Sequence, residues 1–349
     1  MNNMRKKFTI CIPSYNRAKY LPELLESIFG QDFQSFEVLI CEDCSPEREK
    51  IAQIAMQYEQ RFRGQLIYHE NEQNLGYDGN IRYLISKAQG EFCFFMGNDD
   101  IMCPGSLNTV NDLILKYPKV GLILKSYSWF DSDVANINQT VRYFTTEHFM
   151  NAGTEAISIC YRRSGVISGY IVHRDLANEA ATDIFDGTLY YQMHLTTYIL
   201  SKMPAVSTPE VLVLCRNGVA PDFGNSSTEK GLFLPGCYTP EARVRMISGV
   251  VSILNHHRKI GYISSETLNY VIRDYANYFY PYIKDQLNLP FRQFFLLYRS
   301  FGKMGFARFP LFHMYFILGY ILGERRFDNM TRFVRLHLGR SPKFGYICK

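Results

Sequence analysis

Within the first hundred residues, short apolar runs alternate with segments of helical period, and this alternation leaves few folds open. Phe8-Thr9-Ile10-Cys11-Ile12 reads as a strand ending at Pro13, residues 36–41 as a second strand closed by Glu42-Asp43, Leu66-Ile67-Tyr68 as a third and residues 92–96 as a fourth. Between them, three sets of apolar residues recur at the spacing of one helix face: Leu21, Leu24, Leu25 and Ile28; Ile51, Ile54, Ala55 and Tyr58; and Ile81, Leu84, Ile85 and Ala88. Three strand–helix repeats followed by a strand make an open, mostly parallel α/β sheet with right-handed crossovers. Such sheets bind ligands at the carboxyl ends of their strands.

Polar residues gather at those ends. Pro13-Ser14-Tyr15-Asn16-Arg17 follows the first strand, and Glu42-Asp43-Cys44-Ser45 the second. Asn71, Asn74, Leu75, Gly76, Tyr77, Asp78 and Asn80 follow the third, and Gly97-Asn98-Asp99-Asp100 the fourth. Four such loops on one sheet edge read as one site. Two adjacent carboxylates leaving a buried strand are costly unless a cation meets them. They suit an oxygen-ligand site for Mg²⁺ or Mn²⁺ beneath a diphosphate. A solvated turn is the plainer alternative, since Asn, Asp and Gly favour turns.

Beyond Pro104 a helix (Leu107, Val110, Leu113, Ile114) leads to a strand over 120–125, and residues 126–165 read as irregular. Residues 169–173 are expected to form a strand, 190–200 a helix, and 211–215 a strand ending at Arg216-Asn217-Gly218. From Pro240 the pattern turns helical, with Met246, Ile247, Val250, Val251 and Leu254 on one face. A boundary within 231–240 divides the chain into a catalytic domain, 1–235, and a helical, basic and aromatic region, 236–349.

With 47% hydrophobic and 20% charged residues the chain can form a core and is not disordered. Nine Cys are scattered without the Cys/His spacing of a zinc site, and Cys11, Cys41 and Cys93 lie in apolar runs as small hydrophobes. The polar, basic start reads as no secretory signal, and a reducing, cytoplasmic setting fits. Charge is unevenly placed. Residues 289–349 carry 11 Lys/Arg and 2 Asp/Glu, a charge of +9, so the rest holds −4 of the total +5.

The four loop motifs, in this order and spacing, resemble those of family-2 glycosyltransferases of the GT-A fold, including bacterial O-antigen and capsule transferases of the abequosyltransferase type. Residues 9–17 are similar to that family's opening strand, Glu42-Asp43-Cys44-Ser45 to its second strand end, residues 74–80 to its Asn-x-Gly loop, and residues 97–100 with Pro104-Gly105 to its metal-binding segment. The resemblance covers the first third well and continues weakly to about Ser227. It implies transfer of a sugar from a nucleoside-diphosphate donor, UDP or dTDP favoured, to a saccharide acceptor, with inversion, in O-antigen or capsule synthesis.

On that reading Pro13, Ser14, Tyr15, Asn16 and Arg17 would meet the nucleotide, and Asp43 would accept from the N3–H of uracil or thymine, unless it is a helix cap. Asn74, Gly76, Asp78, Asn80, Arg82 and Asn98 would surround the donor. Asp99 would hold Mn²⁺ or Mg²⁺, and Asp100 would be a second ligand or orient the donor sugar. The family's Glu-Asp pair is absent. Asp186 is the first choice for the base that deprotonates the acceptor, with Asp183 and His194 behind it, and a helix cap is the competing role for Asp186. Arg216 would close over the diphosphate or form a structural salt bridge.

The tail interleaves aromatics with Arg: Phe291-Arg292, Tyr298-Arg299, Phe306 with Arg308. Its apolar run, residues 309–323, falls short of the ~20 residues a spanning helix needs. It suits a helix lying among lipid headgroups, beside a polyprenyl-linked acceptor on the inner face of the cytoplasmic membrane. The alternative is packing on the catalytic core or on another subunit of a homo-oligomer. No nucleic-acid module is recognisable. A non-catalytic nucleotide-sugar-binding or scaffold role remains the other class of function.

Overall fold

The protein is described by a computed structural model covering residues 6–62 and 64–337. The first residues of the polar start and the end of the tail, including Arg340, Lys343 and Lys349, lie outside the described residues. The strands are β1 (Phe8–Ser14), β2 (Phe36–Glu42), β3 (Leu66–Glu70), β4 (Phe92–Phe95), β5 (Ile101–Met102), β6 (Leu122–Phe130), β7 (Ile137–Val141), β8 (His148–Met150), β9 (Tyr170–His173) and β10 (Ala205–Arg216). The α-helices are α1 (Leu21–Phe29), α2 (Arg48–Arg61), α3 (Gly76–Lys87), α4 (Ser106–Lys116), α5 (Thr154–Arg163), α6 (Arg174–Glu179), α7 (Tyr191–Lys202), α8 (Pro240–Lys259), α9 (Ser265–Asn277), α10 (Phe291–Lys303) and α11 (Pro310–His337).

One sheet runs in the order β3-β2-β1-β4-β9-β6-β10-β5. Its first four strands are parallel, as the strand–helix alternation requires. The remainder is mixed, which corrects the mostly parallel expectation. β9 pairs antiparallel with both β4 and β6, and β10 runs parallel to β6 but antiparallel to β5 and β8. The stretch 126–165 is also ordered, as the end of β6, the hairpin strand β7, β8 and α5.

Strand side chains alternate between two covered faces. Ile10, Ile12, Val38 and Phe94 pack with α1, α2 and α4. Cys11, Leu39, Cys93 and Phe95 pack with α3, α5 and α7, and this apolar cluster continues without a break into α8, α9, α10 and α11. Among the tail's described aromatic residues, Phe294, Phe301, Phe306, Phe312, Tyr315, Phe316 and Phe327 are therefore interior. Phe279 is the centre of their cluster, with the rings of Phe301, Phe306 and Phe312 about 5 Å away. Phe291, Phe295, Leu296, Ile317 and Ile321 stay exposed beside the exposed Arg292 and Arg299. The last helix breaks at Gly323, whose φ of 71° no helix admits. No helix among the described residues is long and apolar enough to cross a membrane.

Candidate active site

The carboxyl ends of β1, β2 and β4, the start of α3 and the loop after β10 enclose a cavity of about 350 Å³. β1 ends in two successive non-glycine residues in the left-handed region, Asn16 (φ 54°) and Arg17 (φ 66°). Such backbone costs roughly 1–2 kcal/mol per residue for a side chain like that of Arg17, and it turns both side chains toward the loop after β10. Asn16 Nδ2 donates to Asp222 Oδ1 (3.1 Å), and Arg17 Nε donates to Asp222 Oδ2 (3.0 Å). The same guanidinium donates to Asp99 Oδ2 at 3.0 Å.

At the end of β2 the two acidic neighbours divide their work. Glu42 is fully buried and accepts from the Cys44 and Ser45 N–H groups and from Arg48, so it organises the turn into α2. Asp43 faces the cavity. Its Oδ1 accepts from Asn71 Nδ2 (2.7 Å) and Leu75 N–H (2.8 Å), and its Oδ2 from Gly76 N–H (3.0 Å). Burial pushes the Asp43 carboxyl up to about 6 against these donors. It thereby caps the start of α3 from another element, the helix-cap alternative, while Oδ2 keeps a lone pair for a ligand N–H. Cys41 and Cys44, on either side of this pair, stand in a Cys-x-x-Cys spacing. Burial pushes the Cys41 thiol up to about 12, the opposite of what a redox or metal-binding pair needs.

Gly76 opens α3 at φ 77°, and a Cβ there would lie 2.5 Å from Ser226 Oγ and 2.8 Å from Glu229 Oε1. The loop after β10 therefore rests directly on the backbone of the loop after β3. Glu229 holds it, accepting from Tyr77 N–H (3.0 Å) and Gly224 N–H (2.6 Å). Gly187, at φ 82°, admits the same loop from the far side, with Thr228 O 2.6 Å from its missing Cβ.

At the end of β4, Gly97 and Asn98 line the cavity, and Asn98 Nδ2 donates to Asn16 O at 2.9 Å. Asp99 lies just behind Arg17. Asp100 points away: Ser168 Oγ donates to its Oδ2 and Arg216 N–H to its Oδ1 (2.7 Å). Burial and the neighbouring Asp99 charge push Asp100 up to about 7. No group of three His, Cys, Asp or Glu among the described residues would hold a metal alone. Asp99 fits the single-carboxylate mode, in which Mg²⁺ or Mn²⁺ takes its other oxygens from a diphosphate and water. Asp100, with both oxygens occupied, does not fit as a second ligand.

Of the nucleotide-site residues expected from sequence, the cavity lining includes Pro13, Ser14, Tyr15, Arg17, Asp43, Asn74, Gly76, Asn80 and Asn98. Five others are not in the lining: Asn16, bonded to Asp222, and Asp100, as described above, and then Asp78, Arg82 and Arg216. Asp78 accepts from the Leu189 and Tyr191 N–H groups, both at 2.9 Å, and so caps α7 from another element; burial pushes it up to about 7. Arg82 makes a two-pronged pair with Asp186 and also bonds Thr182 O. Arg216 donates to Asp99 O and Glu23 and lies over the rings of Tyr20 and Phe130, the structural alternative.

None of the three residues expected as base reaches the cavity. Asp186 is tied to Arg82, and Asp183 is exposed on the surface turn before it. His194 is buried between His257 Nε2 (2.9 Å) and Ala180 O (2.7 Å), and burial pushes it down to about 4. The carboxylates that do line the cavity are Asp43, Asp222 and Glu229, joined by Tyr190 and by Gln192, whose buried Oε1 has no hydrogen-bond partner. Asp222 and Glu229 were missed although residues 217–229, rich in Gly, Asn, Ser, Thr and acid, carried a loop signal.

Residues 9–171 match the family model described as glycosyl transferase family 2. That stretch, just under half of the chain, is similar to family-2 glycosyltransferases, and the chain as a whole has the GT-A fold with a helical C-terminal region. It is similar to abequosyltransferase RfbV of Salmonella typhimurium, 33% identical over 99 residues, 28% of this chain and 30% of that protein. Poly(ribitol-phosphate) beta-N-acetylglucosaminyltransferase TarS of Staphylococcus aureus is 33% identical over 122 residues, 34% of this chain and 21% of that protein. A GalNAc(5)-diNAcBac-PP-undecaprenol beta-1,3-glucosyltransferase of Campylobacter jejuni is 30% identical over 105 residues, 30% of this chain and 33% of that protein. The matched segments span about a third or less of these relatives. The crystal structure of S. aureus TarS in complex with UDP-GlcNAc aligns with 98% of this chain and 94% of that one at a TM-score of 0.51 and 16% identity, which speaks for the fold.

Proposed function

We propose that the chain transfers a sugar from a nucleoside-diphosphate donor, UDP or dTDP, to a saccharide acceptor in cell-surface polysaccharide synthesis. The observation that carries this reading is one cavity lined both by Asp43, suited to a nucleobase N–H, and by Arg17, suited to a diphosphate, with Asp99 paired behind Arg17. In the reaction the bond from the anomeric carbon to the diphosphate oxygen breaks, and its electron pair leaves with the nucleoside diphosphate. The acceptor hydroxyl forms the new bond from the opposite face, and its proton passes to a base. Arg17 stabilises charge growing on the diphosphate. A bound Mg²⁺ or Mn²⁺ at Asp99 would supply the same neutralisation as a Lewis acid.

A polyprenyl-linked acceptor is supported by the likeness to the Campylobacter GalNAc(5)-diNAcBac-PP-undecaprenol beta-1,3-glucosyltransferase. It agrees with the exposed row of Phe291, Phe295, Leu296, Ile317 and Ile321 edged by Arg292 and Arg299, a surface suited to anionic headgroups on the cytoplasmic face of a membrane.

One observation favours a second reading, donor binding without transfer. Each carboxylate lining the cavity is already held by N–H groups or by Arg17 and Asn16. A thermal-shift screen of UDP-, dTDP-, GDP- and CDP-sugars with and without Mn²⁺, followed by assay of donor hydrolysis, separates the two. Stabilisation with metal-dependent hydrolysis supports the enzyme. Stabilisation without hydrolysis or transfer supports the binding protein, and no shift with any donor overturns both.

A further inference from the structure

A second cavity, of about 300 Å³, lies between the β6–β7 hairpin, the end of α5 and the segment after α9. Trp129, Tyr143, Tyr278 and Tyr282 line it, together with Arg162 and Arg163, and no Asp or Glu does. Both guanidiniums turn to one carboxylate, Asp274 of α9, at 2.6 and 3.0 Å, and all three side chains are less than a tenth exposed. Two guanidiniums with no carboxylate among the lining residues give the wall of the cavity a positive character. The aromatic rings also hold the guanidiniums in place: Arg162 lies 4.4 Å from the Tyr278 ring centre and Arg163 5.5 Å from that of Tyr143.

This cavity adjoins the first: Gly165 and Tyr190 line both. Aromatic faces suit the C–H faces of sugar rings, and phenolic hydroxyls bond their oxygens. Paired guanidiniums suit a carboxylate or phosphate. We propose that this second cavity binds the acceptor, and that the acceptor is a saccharide bearing a phosphate or a carboxylate near the sugar that receives the transfer. The proposal rests on the glycosyltransferase reading of the first cavity.

Trp129 is the chain's single Trp, so its fluorescence is a local probe of this cavity's lining. We would titrate the whole protein with glucose 1-phosphate, glucuronic acid, maltose and inorganic phosphate, and follow nucleotide-sugar binding separately by thermal shift. A saturable Trp129 response to glucose 1-phosphate or to glucuronic acid, exceeding that to maltose and to inorganic phosphate, is expected. The sugar phosphate responding alone identifies a phosphate-bearing acceptor, and the uronate alone a carboxylate-bearing one. Tyr278→Ala should weaken that response at least tenfold while leaving the nucleotide-sugar shift unchanged; the wild-type titration decides even if this variant fails to fold. An equal response to maltose overturns the anionic assignment. An equal response to inorganic phosphate means an adventitious ion only and overturns it as well. No response to any sugar with the nucleotide-sugar shift intact overturns the acceptor cavity and leaves the donor cavity standing, whereas a sugar response without any nucleotide-sugar shift overturns the donor reading.

Discussion

Replacing Asp186 by Asn tests whether this carboxylate is the base or a strut. Asn keeps the shape but removes the charge that Arg82 meets through both of its terminal nitrogens, one of them 2.8 Å from Asp186 Oδ2. The Arg82 and Asp186 side chains are 26% and 15% exposed, between a screened surface pair and a desolvated one. Exposed pairs are worth up to ~1 kcal/mol and breaking a buried one costs ~3–5 kcal/mol, so a loss of about 1–2 kcal/mol is expected here. For a chain of 349 residues that corresponds to a fall in Tm of about 1–3 °C. A general base, by contrast, contributes ~10²–10⁴ to the rate. The assay is a pair of measurements on one preparation: thermal unfolding, and initial transfer rate at saturating donor. The expected outcome is a lower Tm with kcat within about threefold of wild type, far less than the loss of a base would cause. Arg82→Gln should behave alike, and the double variant should cost less than the sum of the two. A hundredfold drop in kcat with Tm unchanged would return Asp186 to the chemistry and refute the strut.

Gly76→Ala forces a left-handed residue, at roughly 1–2 kcal/mol, and sets a methyl against Ser226 Oγ at 2.5 Å; donor affinity by calorimetric titration should fall, and an unchanged affinity would contradict the closed loop. Asp99→Ala should abolish metal-stimulated transfer while leaving the fold intact by circular dichroism; substantial activity of that variant with metal chelated would sink the metal assignment. Asp43, pushed up to about 6, and Asp78 and Asp100, pushed up to about 7, all chiefly by burial, retain protons in the fold that unfolded carboxyls near 3.8 release. The folded chain then binds more protons, so Tm in chelator should decline as pH rises from about 4 to about 7, less steeply in Asp78→Asn; a rising Tm would contradict this. Flotation should carry the protein up with anionic liposomes, and Ile317→Glu with Ile321→Glu should abolish it without lowering Tm.

The half of the fold built from parallel strands was legible because β1, β2 and β4 are buried and largely apolar, β3 opens on an apolar run, and each intervening helix shows one apolar face. The half built from antiparallel strands was not. β7, Ile-Asn-Gln-Thr-Val, is exposed along most of its length and has no apolar alternation to detect. Nor does any local pattern show that residues 170–173 insert beside β4, nearly eighty residues earlier. The site divides in the same way. Asp43, Asn98 and Asp99 leave strand ends whose position follows from topology. Asp78 and Arg82 stand in the first two turns of α3, just past a strand end, but are consumed by partners more than a hundred residues distant on the segment that leads into α7, Asp186 among them. A clue lay in α7 itself, whose first residues include no Ser, Thr, Asp or Asn to cap it and so called for a carboxylate from elsewhere.

The insertion of β9 between β4 and β6 also sets the order in which the chain can become safe from aggregation. As the polypeptide emerges, β1, β2, β3 and β4 can assemble once residue 95 is available, but β4 then presents a bare, fully apolar edge, Phe92-Cys93-Phe94-Phe95. The strand that covers it ends only at His173. For nearly eighty residues of synthesis the nascent sheet offers an open template to any neighbouring strand. A shortened version of this protein would therefore have to extend past His173 to remain in solution, however complete its nucleotide-binding loops.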